Sequence, residues 1–461
     1  MRNAVRHVLI IVLSLLLGAH FLRWGNAGLA LTCAAFPLLL VFRRRWCSYV
    51  LSLFLLAGAA RWFWLTDVLV SQRIAMGAPW GRLVLILGGI GTACALGALL
   101  LHTARARAHF SRGLQTAVAG TAAFVLAFAT CGLLQVRLQD PIPLLAERFW
   151  PEYGWYWFHA YAPRLLRPSP AALQPGYGWG WLQVLALAVY AAFVAEWLVG
   201  TRSTAKLRGR LWLLFSIAFF AQLIVGLFGA DKLLMTGKLH LPVPAIILAG
   251  PLYRGEGFFM LFLFLSTVLI VGPAWCSWLC YVGAWDNLAA SARRPRNARH
   301  FAAVRAGIFA LVLVVAFALR RLGVGLFEAT ALGAVFGIVG VGIMAAASRR
   351  LGFMVHCTSY CPIGLAANIV GRINPFRVRI GEGCDECRAC TASCRYAALG
   401  IDAIRRRRPG ITCTLCGDCL AACDKRQIHY RFPELSPRQA WTVFLVLVAA
   451  LHAVFLGVAR I

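Results

Sequence analysis

The chain has 461 residues, of which 61% are hydrophobic and only 13% charged, yet its formal net charge is +30. Apolar runs close to the about 20 residues needed to cross a hydrocarbon core recur along it, which excludes an ordinary soluble multidomain protein. The bases cluster in short loops between those runs, as the positive-inside rule requires, so the charge does not point to nucleic acid.

In chain order, the apolar runs predict spans over 7–23, 27–42, 46–66, 82–102, 114–134, 181–199, 211–229, 258–282, 302–319, 324–347 and 437–457. The first has no small-residue cleavage site after it and is read as a retained span. The second is short, and the third is interrupted by Arg61. With the N-terminus inside, the cytoplasmic connections are Arg43–Arg45, "HTARARAHFSR", "TRSTAKLRGR", "ARRPRNARH" and Arg349 to Arg438, all basic. The opposite loops, including the long 135–180 segment, are poorer in Lys and Arg and richer in Trp and Tyr; only Arg320 and Arg321 break the pattern. This parity places the C-terminus outside. The stretch 231–256 is too broken by Pro and Gly for a full span and reads as a re-entrant hairpin, a cap on the membrane or a packed loop.

Eight of the sixteen cysteines lie between Cys384 and Cys423, in two runs that each read C-x2-C-x2-C-x3-C. The even x2 steps let one tight loop wrap three thiolates around the corners of a cubane, and the fourth cysteine of each run ligates the other cluster in two-cluster ferredoxins. Cys384, Cys387, Cys390 and Cys423 are therefore assigned to one [4Fe–4S] centre, and Cys413, Cys416, Cys419 and Cys394 to a second. Zinc motifs separate two cysteine pairs by a longer loop and fit less well. Arg395 and Asp424 stand where the bacterial pattern has Pro, a position that donates no ligand. Reduced thiols put this segment in the cytoplasm, in agreement with the charge parity. The expected fold is thus a polytopic α-helical membrane protein of about eleven transmembrane helices, with an inserted cytoplasmic two-[4Fe–4S] ferredoxin-like α+β domain.

Four further cysteines come in C-x3-C pairs, "WCSWLCYVG" and "HCTSYCPIG". On a helix that spacing puts both thiols on one face. Pro362 suits a first helical turn, which places Cys361 at a helix N-terminus where thiolate is favoured. Both pairs fall at the cytoplasmic membrane edge. A shared cluster, a bound copper or iron, and a reversible disulfide are all open to Cys276, Cys280, Cys357 and Cys361. Cys33, Cys47, Cys94 and Cys131 read as small buried hydrophobes.

The paired C-x3-C elements followed by two ferredoxin motifs resemble the NapH/NosR family of membrane-bound polyferredoxins, over roughly residues 181 to 432. "YCPIG" matches that family's element fully, whereas Tyr281 stands where the family commonly has Pro. The resemblance implies a bacterial inner-membrane electron conduit between the quinone pool or a cytoplasmic donor and a periplasmic or membrane redox protein or its maturation system. Related copper-reducing assembly factors share the C-x3-C-P element, so copper handling is one alternative function, and an iron–sulfur redox sensor is another. The flavin-binding periplasmic domain of NosR has no counterpart. The domain plan is an N-terminal membrane module over 1–134, a periplasmic aromatic-rich loop over 135–180, a NapH/NosR-like core over 181–372, a ferredoxin domain over 373–432 and a last helix over 433–461.

Haem needs paired histidines within spans, and His20, His102, His159, His240, His356 and His452 are scattered. Glu196 and Asp286, in or near spans, are candidate functional carboxylates, Glu196 as a proton-uptake group at a quinone site or a residue reaching to the membrane edge. No P-loop, G-x-S-x-G or H-E-x-x-H element supports hydrolase or ATPase chemistry.

Overall fold

The computed structural model describes residues 2–24, 26–42, 44–103, 113–135, 179–201, 204–228, 241–293, 295 and 302–458. Nearly all of the expected aromatic loop, together with His159 and His240, lies outside these residues. Among the described residues, ten helices are long and apolar enough to cross a membrane by length and composition. Their outward faces are apolar: Leu311, Val314 and Phe317 on one helix and Val335, Ile338 and Val339 on the next are exposed. Helices that are hydrophobic on every side suit a lipid surround.

The chain divides by contacts into two units, with the division in helical residues falling at 199/200, one helix beyond the boundary expected at 180/181. The first unit holds α1 (Arg2–Arg23), α2 (Ala27–Ala35), α3 (Arg45–Ala75), α4 (Gly81–Leu100), α5 (Leu114–Gln135) and α6 (Trp179–Gly200). The expected second span is a shorter apolar helical stretch, Ala27–Phe42. Asn26 caps α2 by accepting the N–H of Leu29 at 3.0 Å, but the helix tightens into a 3-10 run over Phe36–Phe42, where Pro37 has no N–H to continue the α ladder. Conversely, Arg61 does not interrupt the third span. The helix runs unbroken for 31 residues, and Arg61 lies over the rings of Trp24 and Trp64 while its Nε donates to His20.

The second unit begins with α7 (Thr204–Leu227) and α8 (Ile246–Arg254), so the described half of the broken stretch is a short helix. It continues through α9 (Phe259–Val271), α10 (Tyr281–Ala290), α11 (Ala302–Arg321), α12 (Leu326–Leu351) and α13 (Pro362–Val370). The cysteine-rich segment then forms β1 (Arg377–Ile380), the short helices α14 (Ala389–Ser393), α15 (Ile401–Arg405) and α16 (Asp418–Ala421), and β2 (Ile428–Arg431). The strands pair antiparallel with Val378 opposite Tyr430 and Ile380 opposite Ile428. Those four residues are buried and their neighbours are not, the period-two alternation of a sheet with one covered face. The chain ends in α17 (Pro437–Val458), which starts where Ser436 and Gln439 cap each other and Pro437 takes the first turn. Trp441 and Phe444 of α17 pack on Tyr430 with ring centroids 4.5 and 4.8 Å away, which fixes the cysteine segment to the last apolar helix.

Candidate iron–sulfur sites

The two cysteine runs fold as a structural duplication. Glu386 and Arg388 in the first run, and Leu415 and Gly417 in the second, take positive φ at matching places two and four residues after the first cysteine. Ala397 and Arg426 do the same three residues after the fourth. The N–H of Ala398 reaches Cys394 Sγ at 3.4 Å, and the equivalent N–H of Gln427 reaches Cys423 Sγ at 3.3 Å. Left-handed conformations are costly for residues with a Cβ and persist only where the surroundings demand them. Alternating hands turn successive N–H groups toward one concavity, a nest for an anionic group of the kind that holds Fe–S clusters.

Cys394, Cys413, Cys416 and Cys419 line a single pocket with Tyr396, Leu399 and Leu415. The fourth cysteine of the first run therefore joins the first three of the second. Burial pushes the thiols of Cys394, Cys413 and Cys416 up to about 12. Thiolates at these positions require a bound cation to offset desolvation, which an iron–sulfur cluster supplies. In the first run, Cys384 and Cys387 lie close enough to Cys390 to act on it electrostatically. Lys425, two residues beyond Cys423, pairs with Asp385 at 2.8 Å and so brings that chain against the first run. This set lies nearer the surface, with Cys387 exposed. Among the described residues, no three His, Cys, Asp or Glu side chains converge on one ion-sized point. A cubane is gripped at its corners and needs no such convergence.

The C-x3-C pairs are a second duplication. Trp275–Leu279 and His356–Tyr360 each form one wide π-helical turn, closed by Cys280 N–H to Trp275 O at 2.9 Å and Cys361 N–H to His356 O at 2.8 Å. The second cysteine of each pair is extended and caps the following helix, α10 or α13. The thiols thus do not share the face of one continuous α-helix. Instead, Cys280 Sγ faces the N–H groups of Val282 and Gly283, and Cys361 Sγ those of Ile363 and Gly364. Helix N-termini favour negative sulfur. Both glycines are forced by close approach: a Cβ at Gly283 would stand 3.0 Å from Cys276 O and 2.7 Å from Trp212, and one at Gly364 would stand 3.0 Å from Cys357 O and 2.6 Å from Arg305. Tyr281, the departure from Pro, occupies the first turn of α10 with its ring stacked on Phe219 at 3.7 Å. Either residue fits there, because the N–H that Pro lacks has no helical partner at that position.

All four of these thiols bear on one another electrostatically: Cys357 on Cys361, Cys280 and Cys276, Cys276 on Cys280 and Cys361, and Cys280 on Cys361. Asp286, fully buried, accepts the N–H of Cys357 at 3.0 Å, and desolvation raises its carboxyl to about 6. Glu196 lies in the first unit, paired with Arg44 at 3.4 Å. The described histidines form no haem pair: His20 contacts Arg61, His102 meets Ser52 at 2.9 Å, His356 packs beside Tyr360, and His452 lies beside Phe215. Cys33, Cys47, Cys94 and Cys131 are buried in the first unit.

The pocket of Cys394, Cys413, Cys416 and Cys419 adjoins the paired-cysteine site directly. Ser277, between Cys276 and Cys280, donates its hydroxyl to Thr414 O, between Cys413 and Cys416, at 2.9 Å. Arg208 of α7 donates to both carboxylate oxygens of Asp418, at 3.0 and 2.6 Å, and to Ser277 O at 2.8 Å. Asn368 of α13 donates to Cys413 O at 3.3 Å. Tyr396 is buried in a cluster against which Cys357, Cys394 and Cys416 all pack. Sequence reasoning counted Arg208 in the basic loop "TRSTAKLRGR" and left Arg305 unremarked inside the span over 302–319. The signal was present, since an arginine inside an apolar window is a functional candidate by default.

A protein-family profile described as "4Fe-4S binding domain" matches residues 254–298, the stretch that contains Cys276 and Cys280. No curated protein and no solved structure matches the chain. The profile supports an iron–sulfur protein of ferredoxin type with at least one cluster, on a scaffold of apolar helices compatible with a multi-pass membrane protein.

Proposed function

We propose that this chain is a bacterial inner-membrane electron-transfer protein related to the NapH/NosR polyferredoxins, with three iron–sulfur centres in series. Cys384, Cys387, Cys390 and Cys423 hold the first, Cys394, Cys413, Cys416 and Cys419 the second, and Cys276, Cys280, Cys357 and Cys361 the third. Clusters supply one-electron carriage at these positions. The chain's own residues hold the thiolates, exclude water from the inner two sites and fix their spacing. Cys387, exposed, makes the first set the contact point for a cytoplasmic carrier. The third set lies among the apolar helices, where quinone or an envelope redox partner exchanges electrons. The basic loops between helices support a cytoplasmic location for the cysteine-rich segment.

The observation that carries this reading is the Ser277–Thr414 hydrogen bond, which joins the loop between two thiols of one set to the loop between two of another. Anaerobic purification, iron and sulfide analysis and EPR-monitored titration test it. About twelve irons are expected if all three centres are cubanes, with one EPR component lost in a Cys276→Ser/Cys357→Ser variant. About eight irons and an unchanged spectrum remove the third centre. Zinc at the eight cysteines of 384–423 overturns the whole proposal, and copper at the paired cysteines turns the third site toward metal handling.

A further inference from the structure

We infer that Arg305 is the fixed countercharge of the paired-cysteine centre and sets its reduction potential, as a positioning residue that is not itself a ligand. The inference rests on the proposal that Cys276, Cys280, Cys357 and Cys361 hold a metal–thiolate centre, and it adds a reason for that chemistry.

Arg305 lies in the first turn of α11 and is only 4% exposed. Its Nη2 donates to Asn368 Oδ1 at 2.9 Å, whereas its Nε is buried with no partner. No carboxylate lies within ion-pair distance of it among the described residues, in contrast to Arg208 with Asp418. A Cβ at Gly364, three residues beyond Cys361, would stand 2.6 Å from Arg305 Nη2 and 3.0 Å from Cys357 O, and the thiols that bear on the guanidinium charge are Cys361, Cys276 and Cys357. A buried guanidinium without an anion is strongly disfavoured, because burial removes its hydration and nothing replaces it. Thiolates are the anions within reach. Among the described residues, the carboxylate that bears on these thiols is Asp286, which accepts the N–H of Cys357 and makes no ion pair with Arg305.

Two consequences follow from charge alone. A pair of disulfides is neutral and leaves Arg305 buried and unbalanced, whereas a metal–thiolate centre with net negative charge balances it. Adding one electron to such a centre makes it one unit more negative, and a fixed positive charge beside it stabilises the reduced form more than the oxidised form. Arg305 therefore raises the potential of this centre. Asn368 ties the same guanidinium to Cys413 O, so the charge is held between the third set and the second.

The test is an EPR-monitored redox titration of the full-length protein, purified anaerobically in detergent, with dithionite and mediators supplying the electrons. The signal to follow is the one lost in Cys276→Ser. Arg305→Gln is expected to leave at least tenfold less of that centre reduced relative to oxidised at a fixed potential, a fall in midpoint of about 59 mV for one electron. Arg305→Lys keeps the charge and is expected to recover part of that shift. Asn368→Asp, nearly isosteric, neutralises Arg305 in place and is expected to lower the same midpoint; it decides the matter if Arg305→Gln does not fold. Midpoints of the signals that survive Cys276→Ser are expected to move less. A wild-type midpoint in both Arg305→Gln and Asn368→Asp overturns the inference while leaving the third centre standing. A wild-type protein with no signal dependent on Cys276 overturns both.

Discussion

Arg208 is 2% exposed and meets its buried charge on two different cysteine loops, through Asp418 and Ser277 O. Removing one partner of such a pair leaves the other charge uncompensated, at a cost of about 3–5 kcal/mol. Arg208→Met is therefore expected to lower the thermal midpoint and to release iron from the set that includes Cys416 before the set that includes Cys387. Iron analysis of protein heated in steps checks the order. The glycine pair gives a sterically cleaner case. Gly364→Ala forces a methyl group to within 2.6 Å of Arg305, and Gly283→Ala forces one to within 2.7 Å of Trp212. Overpacking of this kind costs about 1–3 kcal/mol, read as a fall in the denaturation midpoint. Glycine at these two places was visible in "YVG" and "PIG", but the atoms it makes room for come from α7 and α11, far away in the sequence.

At the scale of elements, the chain uses one device twice in each of two forms. Each ferredoxin run has two loop cysteines whose backbone curls through left-handed residues, a third cysteine on a short helix and a fourth just after it. Each paired element has a π turn, an extended cysteine and a helix start. The crossing of Cys394 into the pocket of the second run makes a specific prediction. Cys394→Ser is expected to alter the EPR component that Cys413→Ser alters and to leave the one dependent on Cys384 in place. The same component responding to Cys384→Ser and Cys394→Ser would show that the runs do not exchange ligands. Local spacing announced the runs clearly, because ligand geometry at a cluster is a short-range constraint. The π turns were not announced. The spacing of Cys276 and Cys280 fits an ordinary helix equally well, and only the break at Cys280 and Cys361 turns the sulfurs toward helix N-termini.

For the whole molecule, the apolar helices and the cysteine segment draw their stability from different sources. In lipid, helix hydrogen bonds are satisfied within each segment, so the spans persist without metal. The loops of 384–423 carry little regular structure, and in the proposed reading the clusters they hold fix their shape. Stripping iron with a chelator under reducing conditions is expected to leave far-ultraviolet helicity largely unchanged while thiols of 384–423 become reactive, Cys387 first. In sealed inverted vesicles a membrane-impermeant maleimide should then label Cys387, whereas intact spheroplasts should not allow it. Labelling from the outside would overturn the proposed orientation.

Composition alone pointed to the class of scaffold, because few charges and many long apolar runs make helices compatible with a lipid surround. The spacing of the eight clustered cysteines likewise carried the proposed chemistry, since those residues are neighbours in sequence. What remained hidden was every contact made between distant segments: Ser277 on Thr414, Arg208 on Asp418, Asn368 on Cys413, and Arg305 among the paired thiols. Those depend on which helices pack together, and hydropathy records that a helix is buried in lipid without recording its neighbours. The tertiary structure thus decided that the paired cysteines come together, beside the second ferredoxin run and around a buried positive charge.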